Sequence, residues 1–136
     1  MRVLFIHPNF PAQFRHVATT LGSHPDFNCV FATENERAEW EIPGVTKLLY
    51  KVQGKVSEQT SPLARHFEKA TLTGQACLDA LIKLKAMGFY PDLVYAHSGW
   101  GTTLFIKDVF PKAKFVAYFE WFYRAVGADA DFDPSD

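Results

Sequence analysis

The residues best suited to chemistry stand where apolar runs stop. "DLVYAH" ends at His97 and is followed by Ser98, Gly99, Trp100 and Gly101; "RVLFIH" ends at His7 and leads into Pro8, Asn9 and Phe10. "KFVAYF" leads into Glu120 and, beyond three aromatic residues, Arg124. An imidazole titrates near neutrality and hydrogen-bonds sugar hydroxyls or phosphate oxygens. Glycines at 99 and 101 permit a tight turn and close approach of backbone to a ligand, and Trp100 offers a flat face to a sugar. Glu120 accepts bonds from ligand hydroxyls or, alternatively, pairs with Arg124 across one helical turn. Structural duties compete with each of these readings. His97 can cap its strand, His7 can belong to a rigid turn made by Pro8, and Trp100 can pack under its own loop. His16, His24 and His66 read as ordinary surface or helix residues.

What the chain lacks narrows the chemistry further. No G-x-G-x-x-G follows the first apolar run and no G-x-x-x-x-G-K-[ST] occurs, so the familiar dinucleotide and nucleoside-triphosphate loops are unsupported. Asp129, Asp131 and Asp133 lack the glycine and the terminal glutamate of a calcium loop. Cys29 and Cys77 are far apart without metal-type spacing and read as free, buried thiols. Neither a metal nor a cofactor is expected. With 14 basic and 15 acidic residues the formal charge is −1, which excludes a broad electrostatic surface for nucleic acid. "MRVLFIHP" is too short for a signal-peptide core and no run of apolar residues is long enough to span a bilayer, so a cytoplasmic protein is expected.

The elements that must hold these residues follow from periodicity. The chain of 136 residues, 48% hydrophobic and 15% aromatic, has the composition of one well-packed domain. "RVLFIH" and "NCVFAT" are continuous apolar runs expected of strands covered on both faces, and "VTKLLYKV" is a weaker strand-like segment beyond the polar loop "ENERAEWEIPG". Phe14, Val17, Ala18 and Leu21 recur at helical spacing from Ala12 to Leu21, with Gly22 as a stop. Ser61 as N-cap and Pro62 at the first position open a long helix to about Met87, ended by Gly88. Its buried side is expected to include Phe67, Ala70, Gly74, Cys77, Leu78, Leu81 and Leu84. "DLVYAH", a short helix from Thr102 to Val109, and "KFVAYF" complete the order. Strands alternating with helices predict an α/β layered fold with right-handed crossovers and a mostly parallel sheet. In such sheets ligands bind beyond the carboxyl ends of the strands, where strand order reverses. If the first strand neighbours "DLVYAH", then "HPNFP" and "HSGWG" face one ligand.

Taken together, "RVLFIHPNFPAQFRHVA", "PDLVYAHSGWGTTLFIKDVFP" and "YFEWFYRAVGADADFDP" resemble the amino-terminal domain of a group 1, family 4-type glycosyltransferase with the GT-B fold. The stretch from Ala32 to Ser61 carries little of the likeness. The resemblance implies a Rossmann-like three-layer sandwich over residues 1–128, one half of a GT-B architecture. Residues 129–136 would then be an acidic tail or linker towards a carboxy-terminal domain. It implies retaining transfer from a nucleotide-sugar donor to a hydroxyl of a sugar or lipid-linked acceptor, with no metal, and it is compatible with peripheral membrane association of the full-length enzyme. The family's strand-end histidine falls on His97. Loops after the first strand in this family often carry paired glycines, whereas "HPNFPAQF" has none, which makes His7, Asn9 and Phe10 a departure. Ser98, Gly99, Trp100, Gly101, Glu120 and Arg124 complete the expected substrate-binding set. Most donor-binding groups belong to the second domain, so residues 1–136 alone are expected to be inactive. A non-catalytic ligand-binding or regulatory α/β domain is the alternative, and it would need no partner domain.

Overall fold

The computed structural model describes residues 1–120. Arg124, the stretch 121–128 and the acidic segment 129–136 lie outside the described residues. Five strands form one sheet: β1 (Arg2–Ile6), β2 (Asn28–Thr33), β3 (Val45–Leu49), β4 (Leu93–His97) and β5 (Lys114–Tyr118). Their order is β3-β2-β1-β4-β5 and every pairing is parallel. The fold is thus a Rossmann-like three-layer α/β sandwich, and β1 does lie beside β4, with Phe5 opposite Tyr95 and Ile6 opposite Ala96.

The apolar runs of β1 and β2 are continuous because both faces of the sheet are covered. Leu4, Ile6, Val30 and Ala32 face one way, onto Cys77, Ala80, Leu81 and Leu84 of α2 (Arg65–Ala86) and Ile106 and Val109 of α3 (Ile106–Val109). Val3, Phe5, Cys29 and Phe31 face the other way, onto Phe14, Ala18 of α1 (Arg15–Gly22), Phe10 and Ile42. The connection from β1 to β2 and that from β4 to β5 step in opposite directions along the sheet, with α1 and α3 on opposite faces. The two crossovers therefore share one hand, in keeping with the right-handed rule. Both cysteines are buried and free, and burial pushes the Cys77 thiol up to about 12.

Three local expectations are corrected. The helix expected from Thr102 to Val109 is only the four-residue α3. Gly101 to Phe105 is a series of turns, in which the Thr102 hydroxyl donates back to the His97 carbonyl at 3.3 Å. Ser61 makes no side-chain cap bond, and a 3-10 turn at Pro62–Ala64 leads into α2. Phe67 is 74% exposed, and Val17 is exposed too. The first turns of α2 overhang the carboxyl edge of the sheet, so the helix meets the core only from Thr73 onward.

Candidate functional site

β1 and β4 deliver their terminal histidines to the same place. The sheet order reverses between these two strands, so the chains leaving them diverge to opposite sides and open a crevice. His7 and His97 are both about 95% buried there, at 4% and 5% exposure, with ring centroids 5.0 Å apart and rings nearly perpendicular. Burial pushes the His7 imidazole below its usual range, and the neighbouring His97 adds to this. A bond to the Asn9 backbone and the charge of Glu120 act in the opposite sense. His7 is thereby favoured as the neutral ring.

Backbone groups engage Nδ1 of both rings. The Gly99 N–H donates to His97 Nδ1 at 3.0 Å, and the Asn9 N–H donates to His7 Nδ1 at 2.9 Å. In a neutral His97 ring the proton then sits on Nε2, whereas His7 Nδ1 also lies 3.0 Å from the Asn9 carbonyl oxygen, so the Asn9 backbone serves either tautomer of His7. His97 Nε2 is buried and has no hydrogen-bond partner among the described residues. The nearest charge is Glu120, whose Oε2 stands 3.5 Å away and whose side chain is 47% exposed; the two form an ion pair only if the imidazole is protonated. A desolvated donor left unbonded costs about 1–3 kcal/mol, which a ligand oxygen arriving there would recover. Glu120 is in turn held by the side-chain amide of Gln13, in the turn after β1.

The remaining expected residues divide by duty. Ser98 ties β4 to β5, since both its N–H and its hydroxyl donate to the Tyr118 carbonyl at 3.0 Å. Gly99 is needed close in, because a Cβ there would stand 2.8 Å from His97 Cε1. Gly101 has φ +88°, and a Cβ would lie 1.9 Å from the Ala70 carbonyl oxygen of α2. Trp100 is 62% exposed, so it does not pack under its loop; its ring lies nearly parallel to that of His97, at 6.3 Å and 20°. Asn9 is exposed and lines an open groove of about 840 Å³ together with His7, Gln13, Arg15 and Arg37. Phe10 borders the same groove but is only 2% exposed, with its ring against Phe31 at 4.8 Å, so it anchors the loop in the core and leaves little surface for a ligand.

Sequence reasoning missed Gln13 and Tyr118. Gln13 sits in an ordinary-looking "PAQF", and only the return of β5 to the β4 side of the crevice brings Glu120 to it. Tyr118 packs on Phe14 and on His97 through ring contacts at 5.7 and 6.0 Å, and its place at the end of an apolar run was the one available signal. No group of three or more metal-ligating side chains occurs among the described residues.

Comparison with known proteins identifies the family. A family model described as "Glycosyl transferase family 4 group" matches residues 25–136, a stretch that includes His97 and Glu120 and leaves out His7. No curated protein and no solved structure matches the chain.

Proposed function

Because the chain belongs to the glycosyl transferase family 4 group, we propose that it forms the acceptor-side wall of a retaining glycosyltransferase, moving a sugar from a nucleotide-sugar to a hydroxyl acceptor. In this reading residues 1–128 are the amino-terminal half of a GT-B enzyme and residues 129–136 lead towards a carboxy-terminal domain that holds most of the nucleotide. The observation that carries it is the buried Nε2 of His97, unpartnered among the described residues, at the point where strand order reverses. That N–H is oriented before any ligand arrives, since Nδ1 is already engaged by Gly99. Donated to a hydroxyl of the donor sugar, it fixes the ring while positive charge develops at the anomeric carbon. The Glu120 carboxylate beside it supplies negative charge on the same side. Such groups accelerate transfer only to the extent that their interactions strengthen in the transition state.

The test is His97→Ala in the full-length enzyme. Turnover is expected to fall by about tenfold to a thousandfold, the range for loss of one well-placed donor. Unchanged kinetics with the true donor and acceptor would remove His97 from the reaction.

A further inference from the structure

A second hollow lies on the α2 side of the sheet, next to the crevice but not lined by His97. It measures about 470 Å³, and Glu34, His66, Lys69, Thr73 and Trp100 bound it. Glu34 follows the end of β2, and the other polar groups come from the overhanging first turns of α2.

Trp100 is the feature that asks for an explanation. Its φ of +66° is a left-handed conformation that bulky residues rarely adopt, at a cost of about 1–3 kcal/mol. The loop is pinned on either side of it, by Gly99 on His97 Nδ1 and by Gly101 against α2. The indole is thus held out over the hollow instead of folding into the core. One face is directed to the His97 ring, and the residue still remains 62% exposed.

The walls decide what fits beneath it. A carboxylate, an ammonium, an imidazole and a hydroxyl line the hollow together with the indole, so a bare hydrocarbon chain would leave these groups unbonded. Charges of both signs also disfavour a simple anion. Burial raises the Glu34 carboxyl above its usual range, while the Tyr50 hydroxyl and, to a lesser extent, Lys69 draw it back, which marks a half-buried acceptor near donors. A flat aromatic plate among mixed donors and acceptors matches a pyranose, whose ring has an apolar face and whose rim carries hydroxyls.

We propose that this hollow is a monosaccharide subsite, in which Trp100 stacks on a pyranose ring and Glu34, Lys69 and Thr73 bond its hydroxyls. The assignment of that sugar to the acceptor rests on the transferase reading above, because Trp100 stands between the hollow and His97.

The test uses the full-length protein and the indole N–H resonance of Trp100, identified by its loss in Trp100→Phe. The probes are the methyl glycosides of glucose, mannose, galactose, N-acetylglucosamine, N-acetylgalactosamine and rhamnose. At least one is expected to move the resonance saturably, with an affinity near the millimolar level. Trp100→Ala and Glu34→Gln should each weaken that binding by about tenfold, measured by calorimetry and equivalent to 1.4 kcal/mol. Trp100→Phe, which keeps an aromatic face, should retain most of it. An octyl glycoside of the same sugar, below its micelle concentration, separates the sources: tighter binding indicates a lipid-linked sugar, and equal binding a free sugar or glycan. If no glycoside moves the resonance up to tens of millimolar, or if Trp100→Ala binds as well as the parent, the subsite is refuted. Assays of sugar transfer on the same preparation read the other claim. Binding at Trp100 without turnover of any nucleotide-sugar would keep the subsite and sink the transferase reading. Turnover with an acceptor KM unaffected by Trp100→Ala would do the reverse.

Discussion

At the scale of single residues, the site is built by two buried imidazoles, and burial favours the neutral form of His7. This has a pH consequence for His7. Its folded-state value lies below the ordinary 6.5, so between those two values the unfolded chain binds a proton that the folded chain does not. Stability therefore rises with pH through that window and is lost as pH falls below 6.5. His7→Asn removes the titrating group while leaving a side-chain oxygen near the position of Nδ1. The melting temperature of the parent is expected to drop more steeply than that of the variant as pH is lowered from neutrality towards 5, and parallel slopes would refute the assignment. Strand-end placement made His7 and His97 legible in the sequence, because an apolar run that stops at an imidazole is unusual chemistry at an address where ligands collect. The partnership of Gln13 with Glu120 was not legible: the two are 107 positions apart and meet only through the parallel sheet.

Among the elements, the turn after β4 is the most constrained. It must bring Trp100 and His97 together while passing within contact of α2, and Gly101 makes that approach possible. Gly101→Ala places a methyl group into the Ala70 carbonyl and is expected to cost about 3 kcal/mol or more in urea unfolding. Gly88 provides the comparison: it ends α2 at φ +86° with nothing within 4 Å, so Gly88→Ala should cost only the left-handed strain of about 1–2 kcal/mol. Equal losses for the two would show that contact with α2 is not what fixes the turn. Periodicity placed the ends of α2 well, yet it assigned Phe67 to the buried side. The spacing is correct for a helix face; what periodicity lacks is the length of the sheet beneath, which stops before Phe67 is reached. The over-long helix at Thr102 has a similar origin, since Thr102 satisfies its hydroxyl on the His97 carbonyl and stabilises a turn in place of the first helical residues.

For the molecule as a whole, the parallel order was legible because four apolar runs alternate with one-sided helices, and few topologies accept that pattern. The weakly patterned β3 proved to be an edge strand, half exposed along its length, which is why its alternation was hard to read. If the crevice is one wall of a two-domain cleft, residues 1–136 by themselves should hold a nucleotide-sugar only at millimolar affinity or worse, because the contacts of the opposite wall are missing and each 1.4 kcal/mol forgone is a factor of ten. Calorimetric titration with several nucleotide-sugars measures this directly, and micromolar binding would show that residues 1–136 hold the nucleotide-sugar without an opposite wall.

The opposite rim of the sheet is organised differently. There Asp92 clasps the strands, its carboxylate accepting from the Arg2 N–H at 2.7 Å, its N–H donating to the Arg2 carbonyl and its carbonyl accepting from the Lys114 N–H, both at 2.9 Å. The Asn28 N–H donates to the Met1 carbonyl at 3.0 Å, so all four of β1, β2, β4 and β5 are registered at that end. The strands are thus clasped at this rim as they are at the carboxyl rim, where Ser98 joins β4 to β5 and the Glu34 N–H donates to the Pro8 carbonyl at 3.0 Å, while the candidate ligand groups stand at the carboxyl rim alone. Loop side chains that join no strands, such as Trp100, can therefore be exchanged without loosening either clasp, whereas exchanging Ser98 removes one of the bonds between β4 and β5.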